Sequence, residues 1–355
     1  MSLSELQEKI IKMSNDKSVI IASAASGKTQ TMTEKVRQIL KSGTDPRKVA
    51  VITFTTMAAA ELRQRLGEDY KDGIFIGTIH ALANFLLCRV GINTRRLLDD
   101  ENFDGLFDEV KKNPHCIIQY EWILLDEAQD SDELQFEFLF DMLNPLHFFV
   151  VGDCKQAIYQ FKGCDATLMT QLAQRPGVKL FDLNENYRNG RCILDFARRI
   201  IRPSGLEDNS IPMRPVDGKV EEIPFSFSSL VELIKNQDQP RDWAILTRTN
   251  KEILDISIVL TNNGIPFDTF RQADLTRGEL IDKMGANTVK LLTIHSSKGL
   301  AFNNVIVVGA RFHPDDERNV CYVAATRARN KLYWTGMPPR RKKPQPKAKP
   351  KMTSW

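Results

Sequence analysis

The sequence has no C-x-x-C pair, and its six cysteines, Cys88, Cys116, Cys154, Cys164, Cys192 and Cys321, are scattered. That spacing excludes a stapled disulfide framework and predicts reduced, mostly buried thiols. No segment approaches about 18 uninterrupted apolar residues, so no membrane span is expected. The N-terminus is polar and shows no signal-peptide pattern, which predicts a cytosolic protein. A second acidic or histidine cluster with metal-site spacing is also lacking, which argues against a nuclease.

Overall charge of one sign is nearly missing as well. The formal net charge is +4, but the last 16 residues, "RRKKPQPKAKPKMTSW", carry seven Lys or Arg and no acid. Without them the chain has 42 basic residues against 45 acidic ones. The body is therefore not a polycation, and a polyanion must be held by a local groove, by the tail, or by both. Proline and lysine in that density predict a disordered tail over 339–355, either a solubilising end or an electrostatic tether.

What is present is 355 residues, 42% of them apolar, enough for two domains with real cores. "SVIIA", "VAVITF", "EWILL" and "HFFVVG" read as buried strands in the first half. "DWAILT", "TVKLLTI", "NVIVVG" and "KLYWT" read so in the second. Helices are expected at about Ser4–Lys12, after Gly27 to about Leu40, and over "TMAAAELRQRL". Further helices are expected at about Gly190–Ile201, Lys251–Asn263 and Asp316–Arg329. Continuous apolar strands alternating with helices predict an α/β fold with parallel sheets, in two halves. The expected division is 1–183 and 184–338, with a short insertion at about 84–120.

"ASAASGKT" (Ala22 to Thr29) follows a strand and opens a helix, the context in which a phosphate loop is credible. The small residues Ser23, Ala24, Ala25 and Ser26 permit close approach, although Ala22 stands where the strict pattern has Gly. Gly27 lets N–H groups curl toward phosphate, Lys28 supplies positive charge, and Thr29 can ligate Mg²⁺. In "ILLDEAQDSDEL", Asp126 sits at a strand end within reach of that Mg²⁺, and Glu127 can orient and deprotonate an attacking water. Asp132 and Glu133 suit the first turn of a helix, and Asp130 fits either group.

With "GKT" and "LLDEAQD" in this order, the sequence resembles superfamily 1 helicases of the UvrD/Rep/PcrA type, over most of residues 1–337. The resemblance implies two RecA-like P-loop domains with parallel sheets and an ATP cleft between them. In "LSELQ" it assigns Gln7 to the adenine edge, and Gln30 stands where the family has an Arg near the base. In "VVGDCKQAIYQFKG" it directs Gln156 toward the γ-phosphate. "LNENYRNG" offers Tyr187 for stacking on adenine and Arg188 as an arginine finger. "CYVAATRARNKL" offers Arg327 as a second finger, and "LLTIHSSKGLAF" contributes Gly299 to the nucleotide and His295 to DNA. Phe54, Tyr159, Phe161 and His80 are implied along single-stranded DNA, with Lys162 beside them. Tyr159 and Phe161 share a side if the chain is extended there. Thr55, Thr78 and Arg248 are implied phosphate contacts.

The pattern also departs from that family. Both insertions common in relatives are small here, at about Asn84–Tyr120 and Gln272–Thr288. A strand-separating hairpin is not expected, since "MPPRRKKPQPK" follows the last motif almost directly. Ala301 replaces a ribose-contacting Glu, and Cys154 and Lys155 replace acids. The expectation is a monomeric ATP- and Mg²⁺-dependent translocase or helicase on single-stranded DNA, moving 3′ to 5′. It would be cytoplasmic, nucleoid- or replication-associated, with a possible protein partner through the tail. The alternative is an ATP-gated DNA clamp or recruiting subunit.

Overall fold

Strand-forming runs such as "SVIIA" are apolar at almost every position, and only a sheet covered on both faces can bury them. The computed structural model describes residues 3–69, 73–235, 239–271, 274–308 and 317–335. The basic tail lies outside them.

The strands of the first half are β1 (Lys17–Ala22), β2 (Val49–Ile52), β3 (Phe75–Gly77), β4 (Trp122–Leu125), β5 (His147–Gly152) and β6 (Lys179–Leu183). They form one all-parallel sheet in the order β3-β2-β4-β5-β1-β6. The segments β7 (Glu185–Asn186) and β8 (Ile211–Pro212) pair only with each other. The second half holds β9 (Lys219–Glu222), β10 (Trp243–Thr247), β11 (Phe267–Asp268), β12 (Val289–Thr293), β13 (Phe302–Val308) and β14 (Ala328–Trp334). These form a second all-parallel sheet in the order β11-β12-β10-β13-β14-β9. The α/β class with parallel sheets is thus as the strand pattern predicts.

Helices α1 (Glu5–Met13), α2 (Lys28–Lys41) and α3 (Thr56–Leu66) cover one face of the first sheet through Ile10, Met32, Val36 and Leu62. On the other face lie α4 (Ile79–Arg89), α5 (Arg95–Asp99), α6 (Gly105–Lys112), α7 (Glu133–Phe136) and α8 (Thr167–Ala173). The short insertion is therefore no separate lobe, because Leu106, Phe107 and Val110 of α6 join Leu82 and Leu86 in the first core. In the second half, α9 (Arg191–Ile201) lies on one face, and α10 (Phe227–Lys235) and α11 (Asn250–Asn262) on the other. The second insertion is one helix, α12 (Arg277–Gly285), tethered where Lys283 and Lys290 meet Asp268 at 3.0 and 3.5 Å.

Three local expectations are corrected. "VAVITF" leaves the sheet at Ile52, because the Thr53 hydroxyl donates to the Thr55 carbonyl (3.0 Å) and turns the chain. The last helix, α13, runs only Arg318–Ala325, and Arg327 falls in the turn after it. Pairing of Ala328 with Phe302 on β13 pulls that segment into the sheet, overriding helix propensity. The stretch Gln160–Lys162 is a tight helical turn, not extended chain.

Gly190 precedes α9, and a Cβ there would lie 2.3 Å from the Asp217 carbonyl oxygen. Backbone cannot move aside as a side chain can, so Gly190→Ala is expected to destabilise the protein by about 1–3 kcal/mol, read from urea unfolding.

Candidate nucleotide cleft and nucleic-acid groove

The carboxyl end of the first sheet faces a cleft of about 1210 Å³, whose other side is formed largely by second-half residues at the starts of β13 and β14, Leu300, Asn303, Arg327 and Arg329. Parallel α/β sheets bind ligands at such edges. From the first domain the cleft is lined by Ala25–Gln30, Thr53–Ala58, Asp126, Glu127 and Gln156, and from the second by Tyr187, Arg188, Gly299 and Arg327, among others.

The loop after β1 is held tightly. Gly27 is left-handed (φ 83°), and a Cβ on it would lie 2.4 Å from Gln7 Nε2. Gln7 donates to the Ser26 carbonyl (3.0 Å) and accepts from Ser4 N (2.9 Å), closing a capping box on α1. Gln7 is thus buried over the loop and is not among the described residues lining the cleft. Ala22, Ser23 and Ala24 are also buried behind it, whereas Ala25 to Gln30 reach the cleft. Ala24 and Ala25 present carbonyls to Asn186 Nδ2 (2.8 Å) and Tyr187 N (3.1 Å), joining the loop to the segment that carries Arg188.

Lys28 Nζ lies 3.4 Å from Glu127 Oε1. Burial opposes its charge, but Glu127, Asp153 and Asp126 together raise its pKa. Glu127 is itself left-handed (φ 52°). Burial would raise its carboxyl, yet Lys28 and Lys298 hold it below the usual range. Asp126 goes the other way, pushed up by burial and by Glu127. Asp126, so displaced, lines the cleft together with Thr29, and the Ser26 hydroxyl is buried without a partner among the described residues. Hydroxyl and carboxylate oxygens are the donor type that a hard divalent cation such as Mg²⁺ takes. Asp132 caps α7 by accepting from Gln135 N (2.9 Å), and Glu133 opens that helix. Asp130 pairs with Lys298 across the cleft.

Among the described cleft residues the opposing wall is cationic and carries no acid. Arg188 donates to the Thr326 carbonyl (3.2 Å). Arg214 donates to the Arg188 and Arg329 carbonyls (2.9 and 2.7 Å). Arg327 is 1% exposed and donates to the Val323 and Leu300 carbonyls (2.9 and 3.1 Å) and to Gln156 Oε1 (3.1 Å). Among the described residues these three guanidinium groups meet only neutral oxygens. Burial and the repulsion of Arg327 and Arg329 drive the Arg188 pKa well down. Glu127 only partly offsets this crowding of positive charge, which an anion in the cleft would stabilise.

Beside the cleft runs an aromatic platform. Phe54 stacks on Tyr159 with centroids 5.2 Å apart, and Tyr159 and Phe161 both meet His295, at 5.9 and 5.8 Å. The turn at Gln160–Lys162 therefore brings the two rings to one neighbour by a different route from an extended strand. Phe161 is 71% exposed, so it is not a core aromatic. Lys162 and Lys298 sit 5.4 and 5.1 Å from the Tyr159 ring centre.

Other expected DNA contacts are placed elsewhere or already engaged. His80 stacks on Phe107 (5.2 Å) and is not among the described cleft residues. Arg248 is paired through two nitrogens with Glu317. Thr55 and Thr78 cap α3 and α4 by accepting from Ala58 N and Ala81 N, which leaves each hydroxyl hydrogen free to donate. Sequence reasoning missed Lys298, which reaches Glu127 (3.9 Å), Asp130 and the Gln156 carbonyl (3.1 Å). It also missed Asn189, whose Nδ2 donates to the Thr326 and Ala328 carbonyls (3.1 and 2.5 Å). No local pattern marks either, since their partners are over a hundred residues away in sequence.

The class defined by this arrangement is the two-domain P-loop nucleotide-dependent enzyme. Comparison with known proteins gives the same class in finer terms. A family model described as "AAA domain" matches residues 7–162, and one described as "UvrD-like helicase C-terminal domain" matches 288–335. A probable DNA helicase of Mycoplasma pneumoniae is 23% identical over 93% of this chain and 82% of its own length. The ATP-dependent DNA helicase Rep of Escherichia coli is 23% identical over 75% of this chain but 55% of its own length. The Gabija protein GajB of Bacillus cereus is 21% identical over 92% of this chain and 94% of its own length. The chain spans about half the length of Rep and of several other curated relatives that it matches. Both halves are thus similar to UvrD-like superfamily 1 helicases, and relatives such as Rep and PcrA carry the name ATP-dependent DNA helicase. No described helix is long and apolar enough to cross a membrane.

Asn189 is fully buried and ties the Arg188 turn to the Arg327 turn. Asn189→Ala leaves buried carbonyls with fewer donors and is expected to lower stability by about 1–3 kcal/mol, measured by chemical denaturation.

Proposed function

We propose that this protein is an ATP-driven motor on single-stranded DNA, moving 3′ to 5′, with 1–183 and 184–338 as its two moving bodies. The observation that carries this reading is the acid-free arginine wall facing Lys28 and Glu127 across one cleft. A triphosphate between the two walls supplies the missing negative charge.

In this reading the residues divide the work by position. Lys28 and the N–H groups at the start of α2 grip the phosphates. Thr29 and Asp126 would hold Mg²⁺, which when bound neutralises phosphate charge. Glu127, kept anionic by Lys28 and Lys298, orients the attacking water and takes its proton. Arg188 and Arg327 stabilise charge on the transferred phosphoryl group, and Gln156 links that charge to the aromatic platform on the same loop. Tyr187, 45% exposed, is free to stack on the base. Loss of the γ-phosphate removes the anion that draws the walls together, so the cleft relaxes.

On the DNA side, Phe54, Tyr159, Phe161 and His295 offer π faces, and base stacking tolerates any sequence. Both insertions are reduced to helices packed on the domain cores, which favours translocation along single strands over independent strand separation. The clamp alternative shares the nucleotide site but predicts no movement. Displacement of a blocking protein from a single strand separates the two.

Lys28→Ala is expected to abolish DNA-stimulated ATP hydrolysis while leaving the circular dichroism spectrum unchanged. Arg188→Ala should keep ATP affinity within a few-fold and slow hydrolysis by roughly 10³-fold or more. Equal losses in binding and rate would instead assign Arg188 to uniform binding. Phe161→Ala should weaken single-strand binding by about 1–3 kcal/mol with little preference for sequence, measured by fluorescence anisotropy.

A further inference from the structure

The stretch Asp153–Gln156 buries more charge than the hydrolytic reading uses. Asp153 is fully buried and accepts from Gln156 Nε2 (2.8 Å) through one oxygen. Its other oxygen meets Lys155 Nζ at 3.1 Å and Lys155 N at 3.1 Å. Lys155 is 5% exposed, and its ammonium lies 4.0 Å from Asp208 Oδ1 in the second domain. Asp208 accepts from the Tyr322 hydroxyl (3.1 Å) and from Ser210 N (3.2 Å) and Oγ. Tyr322 lies on α13, which also sends Asn319 Nδ2 to the Cys154 carbonyl (2.8 Å) and ends beside Arg327. The charges alternate along this path: Asp208, Lys155, Asp153 and, through the Gln156 amide, Arg327.

The alternation matters because none of these groups reaches water. A buried carboxylate with no cation is costly, and removal of one partner leaves the other uncompensated. An acid at position 155 would place like charge beside Asp153 and Asp208. Lysine makes that junction attractive, so the second domain can dock on Asp153–Gln156 through an ion pair. Gln156 is then fixed from both ends, by Asp153 and by Arg327.

We propose that Lys155 is a positioning residue, an interdomain latch shared by Asp153 and Asp208 that sets the Gln156–Arg327 contact for hydrolysis. The hydrolytic half of this inference rests on the ATP-driven reading above, whereas the latch itself does not.

The test uses the full chain with Lys155→Met, the isosteric Asp208→Asn, and both together. Two readouts are taken: kcat and KM for ATP with saturating single-stranded DNA, and amide exchange of Cys154–Gln156 and α13 without nucleotide. Each single variant is expected to lower kcat about tenfold with KM nearly unchanged, since misplacement by about 1 Å is enough for such losses. Exchange in both segments should rise, and the double variant should be no worse than the worse single one, because all three lose one link. Lys155→Arg should retain most of the rate. Native exchange with native kcat in Asp208→Asn, or losses that multiply in the double variant, would overturn the latch. If Lys155→Met does not fold, Asp208→Asn carries the same comparison. If the native chain fails to hydrolyse ATP, the motor reading falls, while the exchange comparison still decides the latch.

Discussion

A pair of guanidinium groups, Arg327 buried and Arg188 half-buried, that hydrogen-bonds to no acid among the described residues is the constraint on which the rest of this structure depends. Arg188 and Arg327 are supplied by the second domain and meet only carbonyl, amide and hydroxyl oxygens. Their natural counter-charge, Glu127, is committed to Lys28 and Lys298. The cleft is thus electrostatically incomplete in a directed way, with cations on both walls and carboxylates at its base. A polyphosphate satisfies both walls at once, and an anion bound to one wall alone leaves the other uncompensated. Under the proposed motor function, that asymmetry is the physical reason for closure to follow the γ-phosphate.

The same contacts connect the cleft to the aromatic platform. Lys298 lies against the Tyr159 ring while its ammonium meets Asp130 and Glu127. His295, three residues earlier, shares that ring and approaches the Ile158 carbonyl at 3.3 Å. A change in the charge near Glu127 therefore has a short route to the aromatic platform. Close packing makes such junctions bistable, so a small displacement at the phosphate can move a stacked ring by a discrete step.

Much of the fold was legible because its signals are local. Apolar strands, small-residue turns and a lysine at a helix start lie within a few residues of one another, and their periodicities predict parallel α/β sheets. The carboxylates of "LLDEAQD" were legible for the same reason, since a strand end fixes where Asp126 and Glu127 sit. The misses have a different character. Arg327 leaves its expected helix because β14 pairs with β13. Tyr159 and Phe161 meet through a turn and not along a strand. Lys298 and the Lys155–Asp208 pair act across the domain boundary, Asn189 acts between distant turns of the second domain, and no spacing rule reports contacts between residues so far apart in sequence. His80 and Arg248 carry the expected residue types, but Phe107 and Glu317 already occupy them.

The measurement that tests the central claim most directly is the distance between site-specific spin labels, one on an exposed position of each domain, with single-stranded DNA bound throughout. The account predicts a shorter, narrower distribution with magnesium and a nonhydrolysable ATP analogue than with ADP, and loss of that difference when both arginines are replaced by alanine. An identical distribution in both nucleotide states would contradict it.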